Sequence, residues 1–259
     1  MTGTSRDLTA TGVAGGETLG SDVIASFHLV RYAGVDAMRH MAFDRPKLRA
    51  ARGLRFWRLL GTGRGRSMSL GADLRRWALF AVWDDEAALD AFLEHSAIAA
   101  RWREEGEESW HVRLTPLASR GGWGGRDPFG SSPVFRRGAA GPRVRGPVAV
   151  LTRASIRPTR LVAFYRSIAD VDRALRREHG CVASVGMGEW PVARQATFSL
   201  WEDEAAIARF AYRGGAHPDV IGRVRGEGWY AEELFARFAP HGSQGTWDGR
   251  DPLRPRDRD

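Results

Sequence analysis

The chain lacks the cysteine pairs of a disulfide-bonded protein and the long apolar runs of a membrane-spanning one. Its single cysteine, Cys181, cannot form a disulfide within the chain or build a zinc–thiolate site, which fits a reducing cytoplasm. No run of about 18 apolar residues occurs, so no transmembrane helix is predicted. Residues 1–20 lack the apolar segment of a secretory signal, and we expect them to be disordered.

Lysine is nearly absent as well. Lys47 is the only lysine, so arginine supplies 38 of the 39 basic residues behind a net charge of +8. The arginines are interspersed with acids, as in 101–105, which indicates a solvated surface of mixed charge rather than a nucleic-acid-binding face. A hydrophobic content of 43% and an aromatic content of 10% are typical of a globular protein with a substantial core.

The strongest positive signal is an internal repeat. Three blocks recur in the same order in the two halves of the chain, which is typical of a duplicated architecture. The second copies follow the first at offsets of 125, 118 and 124 residues. The matched blocks are 61–63 with 186–188, 80–89 with 198–207, and 123–129 with 247–253.

Each half alternates its secondary structure in the same way. The apolar patterns predict strand, helix, strand, strand, helix and strand, which is the ferredoxin-like order. We therefore predict an α+β protein in which two fused ferredoxin-like repeats form a dimeric α/β barrel. Its parts are a first repeat at 21–129, a Gly/Pro-rich linker at 130–146, a second repeat at 147–253 and a charged tail at 254–259. The predicted strands are 23–32, 54–60, 74–83, 110–117, 148–156, 181–186, 195–201 and 230–238.

Proline and aspartate give two local predictions about the helices. Pro46 is expected to interrupt or restart a first helix at 36–51 because a proline has no N–H to donate. Asp84 and Asp85 are expected to cap the second helix of the first half.

The repeat is broken by an insertion in the second half alone. Between the second helix and the last strand the offset rises from 118 to 124, which places six extra residues around Gly214, Gly215 and His217. Neutral imidazole is a common iron ligand, and the two glycines would let the backbone approach a flat cofactor. From the residues alone, a surface or helix-capping histidine stays open as the alternative.

Several segments resemble the spheroidene monooxygenase family, whose members are carotenoid-oxidising enzymes of the fused dimeric α/β-barrel type. The resemblance extends over residues 23–253. It is carried by the segments 56–63, 81–87, 151–154, 186–192, 195–201 and 217–238, the last of which includes Gly-Glu-Gly-Trp-Tyr-Ala-Glu-Glu-Leu at 226–234.

The resemblance implies haem b, oxygen insertion into an apolar, carotenoid-like or other natural-product substrate, and electrons from a ferredoxin-like donor. It makes His217 the expected iron ligand, with Gly214 and Gly215 beside the cofactor. Arg153 and Gln195 are polar residues within apolar strands, and we expect them on the oxygen-binding side, where few polar groups are needed. Thr197 and Ser199 alternate with Gln195 and could join it.

Other interpretations stay open. A haem lyase of the aldoxime-dehydratase type, a haem-binding module without turnover, and a cofactor-free barrel would suit the same scaffold. Cys181 is an alternative iron ligand, although a small buried residue fits its place at a strand start better. We expect no nucleic-acid partner, while peripheral membrane contact and homo-oligomerisation remain open.

Overall fold

The structure is a computed structural model, and it describes residues 23–64, 71–130, 144–190, 194–212 and 226–254. The expected disordered N-terminus, most of the linker and most of the charged tail lie outside these ranges. None of the described helices is long and apolar enough to cross a bilayer.

Eight antiparallel strands close into a barrel in the order β1-β3-β2-β6-β7-β5-β8-β4, in which β4 returns to β1. Closure gives every strand a neighbour on both sides, although β2 and β6 pair only at Gly61 with Gly188 and Thr62 with Met187. The strands are β1 (Ile24–Tyr32), β2 (Leu54–Gly63), β3 (Ala72–Trp83), β4 (Gly106–Gly121), β5 (Val148–Ile156), β6 (Cys181–Trp190), β7 (Arg194–Trp201) and β8 (Tyr230–Gly245).

Helices cover the outside of this barrel. They are α1 (His40–Ala50), α2 (Glu86–His95), α3 (Ala97–Glu105), α4 (Leu161–Arg177) and α5 (Glu204–Tyr212), and short 3-10 turns at Val35–Arg39 and Pro158–Arg160 precede α1 and α4. Apart from α3, which has no counterpart among the described residues, the same order of strands and helices therefore occurs twice. The α+β barrel is confirmed.

All eight predicted strands are present, and β5 has the predicted bounds. The prediction that Pro46 interrupts the first helix is wrong, because α1 continues through it. Pro46 is exposed, so the carbonyl that loses its N–H donor faces water. The predicted aspartate cap is confirmed, since Asp85 Oδ1 accepts a hydrogen bond from the Ala88 amide at 2.8 Å.

Alternate residues of each strand point into the barrel and fill it. The interior cluster includes large side chains from both halves, and the Phe27 and Phe198 rings stack across it with centroids 4.0 Å apart. Trp123 and Trp247, from the repeated Trp-x-Gly-Arg-Asp-Pro motifs, also belong to this cluster. The barrel interior is therefore a packed core, as in other small barrels.

The strand register corrects one part of the repeat alignment. Trp83 pairs with Leu54, and its counterpart Trp201 pairs with Cys181, so β2 and β6 correspond at an offset of 181 − 54 = 127 residues. The offset of 125 taken from the glycine pairs is therefore wrong by two residues. Both hairpins contain register shifts, which sequence matching does not detect.

Candidate functional site

The predicted iron ligand falls in a segment that the structure does not describe. His217, Gly214 and Gly215 all lie outside the described residues. Helix α5 ends at Tyr212, five residues before His217. The role of these three residues therefore stays a prediction.

The two predicted polar residues of the second half lie on opposite faces of the sheet. In an antiparallel pair, residues directly opposite one another project to the same side. Arg153 pairs with Ala196, which faces the barrel interior, whereas Gln195 pairs with Ala154 on the outer face. The structure therefore does not bring Arg153 and Gln195 together.

Arg153 belongs to an ionic cluster at one end of the barrel interior, in which the arginine is buried and the carboxylates are partly exposed. Its side chain forms an ion pair with Glu232 and a longer one, at 3.8 Å, with Glu189. Glu232 also accepts hydrogen bonds from the amides of Gly124 and Gly125 at 2.9 and 2.7 Å. Arg153 is 2% exposed, so its charge depends on these carboxylates for compensation.

The pKa of Glu232 reflects this environment. Burial alone would raise it, but the amides of Gly125 and Gly124 and the guanidinium of Arg153 together lower the pKa below its usual value. Glu232 therefore stays ionised and links β5 to the Trp123 motif. Sequence reasoning missed Glu189 and Glu232, although each continues the inward-facing alternation of its strand.

The outer face of the second half carries unusually small side chains. Two cross-strand rows run over β5, β7 and β6, and we call their six residues the small-residue strip. The rows are Thr152–Thr197–Gly186 and Ala154–Gln195–Gly188.

The corresponding rows of the first half are bulkier. At the same register positions they read His28–Leu79–Leu59 and Val30–Trp77–Gly61. A Cβ atom added to Gly61 would lie 3.3 Å from the Trp77 ring, so the indole covers that glycine.

The small-residue strip separates the buried apolar residues of its face into two groups. In the first half the described buried residues under the helices form one cluster that includes Leu79 and Trp83. In the second half they form two smaller clusters, one around Val150 and Trp201 and the other around Ile156 and Trp229. Because Thr152 and Ala154 lie between Val150 and Ile156 on β5, the strip separates the two clusters.

Polar groups on this face are held in defined positions. Gln195 is 3% exposed and hydrogen-bonds the Tyr165 hydroxyl of α4. Burial raises the pKa of Tyr165, and the bond with Gln195 opposes that rise. Ser199 accepts a hydrogen bond from Trp201 Nε1 at 2.9 Å. The strip therefore combines small side chains with a few fixed donors and acceptors, which suits a flat or apolar ligand.

Two other histidines and the cysteine lie in packed parts of the structure, whereas a third histidine is exposed. His28 and His111 contact each other through their Nδ1 atoms at 3.1 Å beneath α3, and His95 is exposed. Cys181 is buried in an apolar cluster of the second half, as a small core residue would be. No group of three or more His, Cys, Asp or Glu side chains suited to a metal ion occurs in the described ranges.

The barrel and the strip together define a class of protein: a closed α+β antiparallel barrel with a candidate ligand face on its second half. Among solved structures, the chain is similar to an aldoxime dehydratase with a TM-score of 0.55 and 13% identity, over 84% of this chain and 81% of that one. An aldoxime dehydratase co-crystallised with butyraldoxime gives a TM-score of 0.54 at 12% identity, over 84% and 79%. At these identities the likeness concerns the fold alone.

Curated relatives identify the family. The chain is 34% identical to a spheroidene monooxygenase of Rhodobacter capsulatus over 89% of this chain and 95% of the relative. It is 39% identical to that of Rubrivivax gelatinosus over 76% and 73%, and 35% identical to that of Cereibacter sphaeroides over 77% and 60%. No protein-family model matches the chain. The chain belongs to the spheroidene monooxygenase family, and it is an oxidoreductase of the monooxygenase class.

Proposed function

We propose that this protein is a haem-dependent monooxygenase that inserts oxygen into an apolar, carotenoid-like substrate. The names of its relatives support the reaction and the substrate class. The observation that supports a cofactor face is the small-residue strip, because the chain has bulky side chains at the same register in its first half.

The residues of the strip fit a flat macrocycle. A porphyrin ring needs a broad face without projecting side chains and a few polar groups near its reactive centre. Gly186 and Gly188 add no side chain to the face, and Thr197 and Gln195 supply hydroxyl and amide groups there. Gln195 is already oriented by Tyr165, so it would need little reorganisation to serve as a donor.

Each predicted site residue receives a role in this proposal. His217 would hold the iron through a neutral imidazole, and Gly214 and Gly215 would allow the chain to approach the ring. Bound haem supplies the activation of molecular oxygen. Gln195 would donate a hydrogen bond on the oxygen-binding side, whereas Arg153 would act indirectly by fixing β5 from the barrel interior.

The proposal extends to the architecture and the partners. We infer that the two halves are ferredoxin-like repeats fused in one chain, because each has the order strand, helix, strand, strand, helix, strand, with α3 as an addition to the first. The second repeat, at 147–253, would hold the haem. Molecular oxygen and a ferredoxin-like electron donor would be the co-substrates.

The visible spectrum of haem-supplemented protein tests the iron ligand. We expect a Soret band in the parent protein and its loss or shift in His217→Ala. His95→Ala is the matched control because His95 is an exposed histidine near the corresponding place in the first half. A parent protein without a Soret band would remove haem from the proposal, and an unchanged band in His217→Ala would remove His217.

Oxygen consumption tests the reaction itself. With a chemical reductant and a carotenoid, we expect substrate-dependent oxygen uptake and incorporation of ¹⁸O from labelled O2 into the product. A protein that binds haem but incorporates no ¹⁸O would contradict a monooxygenase. Turnover of an aldoxime without oxygen uptake would indicate lyase chemistry instead.

A further inference from the structure

The segment that contains the turn at 35–39 and α1 exposes an unusual amount of apolar surface. Val35, Met38 and Phe43 are 50%, 48% and 64% exposed, and they are three of the five large exposed apolar side chains in the described chain. A cluster of this kind within nine residues marks an interaction surface more often than single exposed apolar residues do.

The same segment also carries exposed basic side chains. Arg39, Arg45, Lys47 and Arg49 are exposed on the same segment. The segment has two acids. Asp44 is buried and forms an ion pair with Arg101, so only the exposed Asp36 offsets these four charges at the surface. The segment therefore presents apolar and cationic groups together.

An arginine-lined cleft lies beside α1. It has a volume of about 420 Å³ and opens between α1, β2 and the Trp123 motif. Its only acidic lining residue is Glu189, which forms an ion pair with Arg58 at 2.8 Å. The arginines that line the cleft are Arg45, Arg49, Arg55, Arg58 and Arg126.

We propose that this surface, comprising residues 35–49 and the arginine-lined cleft, binds an anionic phospholipid bilayer. Phosphate headgroups pair with Arg45, Arg49 and Arg126 of the cleft, since Arg55 and Arg58 already form ion pairs with Asp84 and Glu189. Phe43, Met38 and Val35 enter the boundary between headgroups and acyl chains. Interfacial segments combine basic residues with exposed aromatic and aliphatic ones in this way, and anionic leaflets attract such clusters.

The combination of groups favours a bilayer over other occupants. A soluble anion would use the arginines but would leave Phe43 exposed. A second copy of the chain would place two surfaces of the same positive charge against each other, because a two-fold interface uses the same patch on both subunits. An anionic bilayer satisfies both the charge and the apolar side chains. The inference does not depend on haem or on His217.

Co-sedimentation with vesicles tests the proposal on the full-length protein. We expect binding to phosphatidylcholine vesicles that contain phosphatidylglycerol and little binding to phosphatidylcholine alone. Met38→Ser with Phe43→Ser should reduce the affinity about tenfold or more, since it removes two apolar groups that enter the bilayer. Arg45→Gln with Arg49→Gln should make vesicle binding depend less on the phosphatidylglycerol content. Val162→Ser is the matched control, because Val162 on α4 is 65% exposed but lies outside this surface.

Three outcomes would overturn the proposal. The first is the absence of phosphatidylglycerol-dependent binding, or an equal loss of binding in Val162→Ser. The second is complete displacement from vesicles by inorganic phosphate at unchanged ionic strength, which would indicate a site for soluble anions. The third is a parent dimer that the Phe43 variant dissociates in sedimentation velocity, which would make this surface an interface between copies.

Discussion

The outer faces of the two halves have the same strand order but different packing. Under α1, α2 and α3, the first face is filled by large side chains such as Trp77, Leu79 and Trp83. Under α4 and α5, the second face carries the small-residue strip, and its described apolar residues form two clusters. One architecture therefore supports a closed core on one side and a candidate ligand face on the other.

This difference indicates that the first face mainly stabilises the fold, whereas the second is the candidate functional face. Packing of the first face stabilises the fold, because burial of aromatic and aliphatic surface is the main favourable contribution to folding. The second face gives up part of that contribution at the positions of Thr197 and Gln195. Loss of apolar packing at such positions is expected where a protein has a functional site.

The largest expected effect comes from giving the second face the side chains of the first. Gln195→Trp with Thr197→Leu introduces the residues found at Trp77 and Leu79. We expect haem content, measured by the pyridine haemochromogen assay, to fall to background because the strip is filled.

The reciprocal variant is the control for this exchange. Trp77→Gln with Leu79→Thr should lower stability but leave haem content unchanged. Full haem content in the filled variant, measured on folded protein, would show that the strip is not the haem face.

A smaller effect concerns the two tryptophans at corresponding positions. Trp83 is fully buried and packs against Phe92 with ring centroids 4.9 Å apart. Trp201 belongs to the cluster around Val150, which has fewer residues than the cluster that contains Trp83. We expect Trp83→Ala to lower the free energy of unfolding by about 3–5 kcal/mol and Trp201→Ala by about 1 kcal/mol less.

Urea unfolding measures both values, and each variant should keep a two-state transition. The two substitutions remove the same kind of hydrogen bond, because each indole donates to a serine, Trp83 to Ser26 and Trp201 to Ser199. An equal or larger loss in Trp201→Ala would mean that the two faces are packed equally well.

The effect that is smallest near neutral pH is a pH dependence of the first face. Burial, aided by His111 and Arg113, lowers the pKa of His28 well below its usual value, and burial with Arg103 lowers the pKa of His111 to about 4. Both residues are neutral in the folded state near pH 7 but take up protons when unfolded below a pH of about 6.5.

Stability should therefore fall as the pH is lowered from about 6.5 toward the folded pKa values. The limiting slope is about 1.4 kcal/mol per pH unit for each histidine. His28→Thr with His111→Phe introduces the residues of the second half, Thr152 and Phe235, and should remove most of this slope in urea titrations. A parent protein whose stability does not change between pH 6.5 and 5 would contradict a neutral histidine pair.

Local chemistry made much of the fold predictable. Alternation of apolar residues identified all eight strands, and Asp85 marked the start of α2 because its side chain caps the helix. The strands β4 and β8 are longer than predicted, since their ends contain polar and turn-forming residues that only pairing with each other keeps extended. Pro46 was misjudged because exposure, not sequence, decides whether its missing hydrogen bond is costly.

For the candidate site, the sequence determined the residue types and the asymmetry between the halves. It identified Gln195 and Arg153 as polar residues within apolar strands, and it located the insertion that contains His217. Only the tertiary structure decided on which face each side chain lies. A shift of one residue in strand register moves a side chain to the other face, and closure of the barrel sets that register. For this reason Arg153 lies in the ionic cluster with Glu232, while Gln195 lies on the small-residue strip.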